Sequence, residues 1–407
     1  MFWHCIHIID IALWLLMAAS VVYILFFALI STLWKKRVSE LTLYLTGKVL
    51  AMRKKEHFSY LILYPAYNED RVIVNSVQKF LAQYYPYNYF HVAVISDHML
   101  PDTNQKLSEL PITLLQPVFE KSSKAKAMQY AMDLIKDDYD FIVILDADNV
   151  VEPHFLEQLN TECAKGYKAI QCHRCAKNND NDIAVLDGVS EEINNTIFRK
   201  AHNRIGLSSA LIGSGMCFDF QWFKENVYKL TTAGEDRELE ALLLKQKVHI
   251  QYMPDIHVFD EKVSNKDNFQ KQRLRWMTAQ IQSLFNLLPY IPTAIATFNL
   301  DFIDKTIQQA LIPRSMLVVA TFAMALLMTP ISLFFDNYWY IKWWGLFLAI
   351  CFSLYIATPK QLRKHSVFGK ILSLPRLVWK MVLNILKIDR KNTDFIHTTH
   401  DKEDVKK

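Results

Sequence analysis

The stretch at residues 141–149, Phe-Ile-Val-Ile-Leu-Asp-Ala-Asp-Asn, constrains the fold more than any other part of the chain. A continuous apolar run of this length predicts a strand buried on both faces of a sheet. Ligands of open α/β sheets bind outside the carboxyl ends of the strands, so Asp146 and Asp148 are expected at the mouth of a site. Their oxygens suit a hard cation such as Mg²⁺ or Mn²⁺. The alternative is an acidic turn after an ordinary strand.

Short strands and helices alternate on the N-terminal side of this stretch. Apolar runs predict strands at 60–64, 91–95 and 111–115. A turn at 65–70 is predicted to open an amphipathic helix through Leu81, and a second helix is predicted to start within 121–126 and run to about Ile135. This alternation favours parallel pairing with right-handed crossovers, as in nucleotide-binding sheets. No Gly-x-Gly-x-x-Gly or Walker loop occurs, so a metal and side chains are expected to hold any diphosphate.

Three apolar stretches are long enough to cross a bilayer, at 8–34, about 313–335 and about 338–358. Basic residues at 35–37 directly follow the first stretch, which indicates an uncleaved anchor with its N-terminus outside. The second and third predict a hairpin whose basic flanks both lie inside. The region from about 50 to 280 is therefore expected in the cytosol, and the protein in the cell or inner membrane.

Two further stretches, 281–312 and 367–388, mix apolar and charged residues and predict helices lying on the membrane surface. Ordinary packing helices are the alternative. The tail from Asp389 onward is polar. The predicted division of the chain is an anchor and linker at 1–49, an α/β domain at 50–280, interfacial helices at 281–312, a transmembrane hairpin at 313–358, and a basic helix with a polar tail at 359–407.

Composition narrows the classes of function. The chain has 407 residues, 51% hydrophobic and 21% charged, enough for one large soluble domain plus membrane segments. Lys and Arg number 46 against 41 Asp and Glu, and this mild basic excess favours a membrane surface, since no nucleic-acid-binding motif is visible. Six scattered cysteines argue against a disulfide framework. The run at 172–175, Cys-His-Arg-Cys, has a zinc-like spacing but lacks a second ligand pair.

Four motifs follow one another between about residues 58 and 280. They are Pro65-Ala66-Tyr67-Asn68-Glu69, Asp146-Ala147-Asp148-Asn149, Gly234-Glu235-Asp236 and Gln272-Arg273-Leu274-Arg275-Trp276. With these motifs the region resembles a family 2 glycosyltransferase of the GT-A fold, close to the membrane-embedded cellulose, hyaluronan and poly-N-acetylglucosamine synthases. Two departures stand out. Gly234 occupies a position where Thr is usual, and Ser96-Asp97-His98-Met99 replaces Asp-Asp-Gly-Ser, which leaves the preferred donor base open.

The resemblance implies the catalytic groups. Asp148 is the implied ligand of Mg²⁺ or Mn²⁺, with Asp146 near the ribose or beside the metal. Asp236 is the implied base that takes the proton of the acceptor hydroxyl, and Glu235 would tune or orient it. One base without a nucleophile implies inversion at the anomeric carbon. The alternative for this acidic run is a first helical turn that caps a helix reaching Lys245.

The resemblance also implies substrate contacts. The implied donor-binding residues are Pro65, Tyr67, Glu69, Asp97, Lys124, Asp146, Asp148 and Arg275, with Asp97 accepting a hydrogen bond from the base. Gln272, Arg273, Arg275 and Trp276 form an implied gate over the diphosphate, which an arginine can grip with two parallel hydrogen bonds. Gly213, Ser214 and Gly215 are the implied acceptor loop, and Trp276 offers a flat face to an acceptor sugar. The alternatives are a connecting turn and a basic helix at lipid headgroups.

The expected function is transfer of a sugar from a UDP-sugar to a growing glycan or a lipid-linked acceptor, in contact with membrane lipids. Processive synthesis stays open, because three spans are few for a chain-conducting channel and a partner subunit or an oligomer could complete one. A second hypothesis is a non-catalytic subunit of a polysaccharide synthase complex that binds nucleotide or glycan, against which the intact acids argue. A third is phosphoryl transfer with Asp146 as nucleophile, which lacks the supporting Lys and Ser/Thr motifs.

Overall fold

The computed structural model describes residues 2–35, 38–178, 182–232, 234–262, 266–335 and 337–363. The strands are β1 (Tyr60–Tyr67), β2 (Phe90–Asp97), β3 (Thr113–Leu115), β4 (Phe141–Ile144), β5 (Val150–Val151), β6 (Ala169–Ala176), β7 (Met216–Asp219) and β8 (Ile250–Asp260). The helices are α1 (Phe2–Leu33), α2 (Glu40–Leu45), α3 (Ile73–Leu81), α4 (Pro101–Ser108), α5 (Lys124–Leu134), α6 (Phe155–Cys163), α7 (Asp182–Asn194), α8 (His202–Arg204), α9 (Phe220–Asn226), α10 (Glu235–Lys245), α11 (Lys266–Leu287), α12 (Ile291–Ala296), α13 (Leu300–Ala310), α14 (Arg314–Phe334) and α15 (Trp339–Ala357). A π-helical segment, Asn195–Ala201, joins α7 to α8.

The strands form one mixed sheet in the order β3-β2-β1-β4-β7-β6-β8-β5. The first four strands are parallel, as the alternation of strands and helices predicted. The other half is mixed, because β7 runs antiparallel to both β4 and β6, β8 runs parallel to β6, and β5 runs antiparallel to β8. The parallel half brings the carboxyl ends of β1, β2 and β4 to one edge, where the acids predicted from sequence meet.

The first strand is longer than its apolar run. A turn was expected from Pro65, but β1 continues to Tyr67, and Pro65 pairs in register with Ile95 of β2. On its other side, β1 pairs with β4 only as far as Leu63. The missing N–H of Pro65 therefore breaks no hydrogen bond between β1 and β4. The loop closes behind it, since the N–H of Asn68 donates to the carbonyl of Asp97 at 3.2 Å.

Two layers of helices cover the sheet, because residues alternate between its faces along each buried strand. On one face, Tyr60, Ile62 and Tyr64 belong to the same core as α3 and α6. On the other face, Leu61 and Leu63 belong to the core that contains α5, α9 and α10. Burial on both faces is what the continuous apolar runs predicted.

Three helices are long and apolar enough to span a membrane: His7–Leu33 within α1, then α14 and α15. They pack together in a third core. A buried acid near the start of α1, Asp10, accepts hydrogen bonds from Lys342 and, at 2.8 Å, from the indole of Trp343 in α15. Polar groups in such helices are costly unless paired, so this contact specifies how α1 and α15 dock.

The helices predicted to lie on the membrane surface at 281–312 pack one face on the domain. Phe302 of α13 is buried in the core beside α10, and Lys305 forms a buried ion pair with Glu240 at 2.5 Å. Ile295 and Phe298 remain exposed on the other side, so the packing alternative accounts for part of the stretch only. The predicted helix at 367–388 and the polar tail lie outside the described residues.

The cysteine run at 172–175 is part of β6. His173 bonds with the hydroxyl of Tyr252 at 2.6 Å and with Glu192 at 2.9 Å, while Cys172 is buried. Successive side chains of a strand point to opposite faces, so the two cysteines and His173 do not converge as zinc ligands. Cysteines 163, 172, 175, 217 and 351 are free thiols.

The conformation of Gly215 provides a test of the close contact between the loop before β7 and strand β8. Its φ is +64°, and a Cβ there would lie 2.9 Å from Cγ2 of Val258. We expect Gly215→Ala to lower stability by about 1–3 kcal/mol, since overpacking adds to the cost of the left-handed conformation. Gly47→Ala is the matched control, because Gly47 has a φ of +72° but open space around it. Thermal unfolding in detergent should show the larger loss for Gly215→Ala, and equal losses would contradict the contact.

Candidate active site

The acids at 146 and 148 lie in the turn that leaves β4. The backbone N–H of Asp146 donates to the side-chain oxygen of Asn149 at 3.1 Å and to the hydroxyl of Ser214 at 3.0 Å, and Ser214 also bonds Asn149. These bonds close the turn onto the loop before β7. The turn therefore presents two carboxylates at the carboxyl edge of the parallel strands, as the sequence predicted.

Asp148 is 3% exposed, and both oxygens of its carboxylate accept hydrogen bonds. One oxygen accepts from the amide of Asn149 at 3.1 Å, and the other accepts from the N–H of Glu261 at 2.7 Å. The same Asn149 amide contacts Asp260 at 3.2 Å, and Asp260 pairs with Lys262 at 2.7 Å. Thus the end of β8 fixes the orientation of Asp148.

The central contact of the site is made by Lys124, the first residue of α5. Its Nζ lies 2.5 Å from Oδ1 of Asp146, 2.6 Å from the carbonyl oxygen of Gly213 and 3.6 Å from Oε1 of Glu235. Ser123 caps the helix by accepting from the N–H of Lys126 at 3.2 Å. Burial lowers the pKa of Lys124, but Asp146 and Glu235 outweigh burial and raise it overall, so the amine is charged.

Glu235 and Asp236 open α10 opposite these groups, and three acids lie in its first turn. Glu235 is 8% exposed, and burial, opposed by Lys124 and reinforced by Asp236, raises its pKa to about 7. Oδ1 of Asp236 accepts from the N–H of Arg237 at 2.8 Å. Oδ2 faces Gly213, at 3.8 Å from where a Cβ would stand, so the glycine leaves room beside this carboxylate.

The tips of β1 and β2 form the far side of the site. Asp97 is 3% exposed and bonds Nδ1 of His98 at 2.6 Å, and the ring of His98 lies 5.4 Å from that of Tyr67. The N–H of Glu69 approaches the sulfur of Met99 at 3.1 Å. His98 adopts a positive φ of 57°, a conformation that the usual glycine of this motif would adopt more readily.

The last motif lies on α11, which crosses in front of α7. Arg273 donates to Asp187 of α7 at 2.5 Å, and its guanidinium lies 4.7 Å from the ring of Trp276. The side-chain oxygen of Gln272 is buried without a hydrogen-bond partner in the part of the chain that the structure describes. Arg275 faces the same cavity as these residues.

One cavity of about 970 Å³ unites most of the predicted residues. Its lining includes Pro65, Tyr67, Glu69, Asp97, Lys124, Asp146, Asp148, Gly213, Glu235, Asp236, Gln272, Arg273, Arg275 and Trp276. Ser214 and Gly215 are not among the lining residues. Ser214 is fully buried under the turn of Asp146, and Gly215 donates its N–H to Ile144, so both support the loop instead of contacting an acceptor.

Sequence reasoning missed several charged residues that line this cavity. Arg174, Asp260 and Lys262 form a buried group with Glu191, and Lys305 with Glu240 forms another. Burial raises the pKa of Glu240 and lowers that of Lys305, because water solvates neither charge well there. Each charged group is therefore stabilised by the other. No local motif marks these residues, since the partners are far apart in the sequence, 71 positions in the case of Lys262 and Glu191.

Comparison with known proteins identifies the family of this chain. The sequence profile described as "Glycosyltransferase like family 2" matches residues 59–279, more than half of the chain. The chain belongs to this glycosyltransferase family. The resemblance inferred from the four motifs is thereby confirmed at the level of the family.

An N-acetylglucosaminyltransferase of Rhizobium meliloti (strain 1021) is 26% identical to this family 2 chain over 144 residues. The match covers 35% of the chain and 31% of that protein, so the chain spans about a third of its relative. The mannosyltransferase PcManGT from Pyrobaculum calidifontis, solved with GDP-Man and Mn²⁺, shares the fold with a TM-score of 0.51 at 17% identity, covering 85% of this chain and 96% of that one. TarS of S. aureus, residues 1–349 with UDP-GlcNAc, has a TM-score of 0.43 at 12% identity, covering 80% and 89%.

The family and the fold likeness confirm the expected GT-A type of α/β domain. The family match also supports glycosyl transfer as the activity of the family 2 domain.

The raised pKa of Glu235 gives a prediction about stability and pH. Its pKa lies near 7 in the folded protein against an ordinary value of 4.5, so ionising Glu235 costs stability as pH rises through this interval. Below 4.5 the carboxyl is protonated in both states and costs nothing. We expect Glu235→Gln to gain stability relative to the wild type between pH 4.5 and 7, by at most about 3 kcal/mol, with no further gain above pH 7.

Thermal unfolding across pH 4.5–8 measures this difference. Glu225→Gln, at an exposed position on α9, controls for the loss of one negative charge. A Glu235→Gln difference that stays constant with pH would show that Glu235 does not titrate as described.

Proposed function

We propose that this protein is a membrane-bound, inverting glycosyltransferase that moves a sugar from a nucleotide sugar, a UDP-sugar, to a glycan or a lipid-linked acceptor. The observation that carries the proposal is the shared cavity: Asp148, Asp236 and Arg275 face one space of about 970 Å³. Residues from three separate parts of the chain thus line one cavity, as the proposed reaction requires. The family match and the names of the relatives support a nucleotide-sugar donor.

The donor set suits a divalent metal. Asp148 and Asp146 offer two carboxylates, and no group of three or more His, Cys, Asp or Glu side chains that could hold an ion occurs among the described residues. Two carboxylates are enough for Mg²⁺ or Mn²⁺, because these ions bind through one or two carboxylates and take further oxygens from water and phosphates. Asp148, with Asp146 beside it, would hold the ion, which would supply charge neutralisation at the leaving diphosphate. The Mn²⁺ in PcManGT supports this choice.

Asp236 is proposed as the base on the acceptor side. Its Oδ2 borders open space beside Gly213, while Oδ1 is engaged by a backbone N–H. As the acceptor oxygen bonds to the anomeric carbon, its proton passes to Asp236. The bond between the anomeric carbon and the donor phosphate oxygen breaks, and its electron pair leaves with the nucleoside diphosphate. Attack from the face opposite the leaving group inverts the anomeric carbon. Glu235, with a pKa near 7, limits the negative charge beside this base at neutral pH.

The remaining residues are proposed to position substrates. Lys124 links the Asp146 turn to the α10 acids and fixes their spacing. Arg275 is proposed to bind diphosphate oxygens with its planar fork, and Trp276 to stack on an acceptor sugar. Asp97, with Tyr67 and Glu69 beside it, is proposed to meet the donor base. The basic flanks of the apolar helices support an N-terminus outside and a catalytic domain in the cytosol.

Substitution of the proposed base tests the reaction. We expect Asp236→Asn to lower the rate of sugar transfer by about 10²–10⁴-fold, the usual contribution of a general base. Purified protein is incubated with a panel of UDP-sugars and Mn²⁺, and released UDP and product size are measured, which also separates single transfer from polymer formation. Asp102→Asn is the control, since Asp102 is exposed on α4 outside the cavity. Full activity of Asp236→Asn would refute this role.

Metal binding can be tested without turnover. In the presence of UDP, titration with Mn²⁺ followed by electron paramagnetic resonance should show one bound ion per protein. Asp148→Asn should weaken this binding by about 10-fold or more, because a charged ligand is replaced by a neutral one. Asp102→Asn again serves as control. Unchanged Mn²⁺ affinity in Asp148→Asn would exclude this carboxylate as the ligand.

A further inference from the structure

The cavity extends beyond the residues proposed to bind the nucleotide sugar. Beyond the acids of α10 and the motif of α11, its walls come from α7, α14 and α15. The lining there is apolar, and it belongs to two helices long and apolar enough to span a membrane. The wall residues are Val318, Val319, Phe322, Phe347, Cys351 and Leu354. One continuous space therefore joins the polar site to a hydrocarbon-like cleft.

Three arginines line the cavity between these two parts: Arg199, Arg273 and Arg314. Arg314 lies within electrostatic range of the other two. Its Nη2 donates to the carbonyl oxygen of Ser190 at 3.1 Å and to the Ser190 hydroxyl at 3.3 Å. Its Nη1 is buried and has no hydrogen-bond partner among the residues the structure describes. A buried guanidinium nitrogen without an acceptor is costly, so this atom indicates a missing anionic or polar partner.

The charges of this arginine cluster do not balance. Arg199 is 4% exposed and donates to the carbonyl of Ala210 and the side-chain oxygen of Asn195, both uncharged. Burial lowers the pKa of Arg199, and the nearby Glu191 opposes this only in part. Glu191 itself pairs with Arg174 and Lys262. Among the described residues, Arg273 is the member of this cluster that has a carboxylate in direct contact, Asp187.

Within the part of the chain that the structure describes, the three cations of this cluster have one carboxylate in direct contact, so the cluster carries a net positive charge away from bulk water. A planar guanidinium suits a phosphate because it can give two parallel hydrogen bonds. The position of the cluster decides what carries the phosphate, since the apolar cleft begins directly beside it.

We propose that the Arg199–Arg273–Arg314 cluster binds the phosphate of a phosphorylated lipid whose hydrocarbon chain occupies the cleft between α14 and α15. The identification of this lipid as the acceptor rests on the proposed function, since the same cavity leads on to Asp236. The binding site itself does not depend on catalysis. It therefore selects between the two acceptor classes left open above, in favour of the lipid-linked one.

The test measures binding of dodecyl phosphate to the full-length protein in uncharged detergent, by native mass spectrometry, without donor or metal. Dodecanol and inorganic phosphate are the comparison ligands, since each carries one half of the proposed recognition. We expect dodecyl phosphate to bind at least 10-fold more tightly than either. Equal binding of dodecanol would leave the arginines without a role, and equal binding of inorganic phosphate would leave the cleft without one; either result overturns the proposal.

Variants assign the binding to the cluster. Arg314→Gln should weaken dodecyl phosphate binding by about 10-fold, while Arg314→Lys, which keeps the charge but loses the fork, should weaken it less. Arg204→Gln is the matched control, because Arg204 contacts the carbonyls at the end of α1 but does not line the cavity. An equal loss in Arg204→Gln would mean general attraction of anionic lipid and would refute the site. If Arg314→Gln does not fold, Arg314→Lys and the double variant Arg314→Lys/Arg273→Lys take its place. Undiminished binding of dodecyl phosphate by both of them would refute the site equally.

Competition separates this site from the donor site. UDP should not displace dodecyl phosphate, and Arg314→Gln should bind UDP like the wild type. Displacement by UDP together with loss of UDP binding in Arg314→Gln would assign the cluster to the donor diphosphate and overturn the proposal. Absence of sugar transfer with intact, Arg314-dependent lipid binding would instead overturn the proposed function and leave this site in place.

Discussion

The ammonium group of Lys124 is the contact on which the rest of the site depends. It joins the turn after β4, the loop before β7 and the first turn of α10, through Asp146, the Gly213 carbonyl and Glu235. Without a cation between them, these carboxylates would repel one another in a poorly hydrated space. The lysine thus lets the protein hold the acids of the Asp146 turn and of α10 around one cavity.

A second network holds the site from beneath. Arg174 and Lys262 each pair with both Glu191 and Asp260. The amide of Asn149 donates to Asp260 and to Asp148, which links this network to the site. Such buried ion networks are strongly destabilised by the loss of a single member, because the remaining charge has no partner. These ion pairs join β8 to α7, and α7 also carries Asp187 and Ser190, which contact Arg273 and Arg314. The network therefore connects the position of Asp148 to the arginine cluster.

The domain and the apolar helices are joined by polar contacts as well as by packing. Tyr23 of α1 donates to Asp304 of α13 at 2.7 Å and bonds His202 at 2.9 Å, while Phe27 stacks on the His202 ring at 3.7 Å. α1 therefore docks on the catalytic domain at a defined place. A cavity with a polar end among strand tips and an apolar end among these helices follows from this docking, and it suits a reaction between a water-soluble donor and an acceptor held at a membrane.

The sequence by itself determined the parts that depend on local pattern. Continuous apolar runs predicted the buried strands and the three long apolar helices, and acids after β2 and β4 predicted the edge on which the site lies, because side-chain periodicity and strand direction are read over a few residues. Only the tertiary structure decided the antiparallel insertion of β7, the supporting position of Ser214, and the meeting of Lys124 with Glu235 or of Arg314 with Arg199. These contacts join residues that are far apart in the sequence, and no local spacing encodes them: they follow from which strands and helices pack together to bury apolar surface.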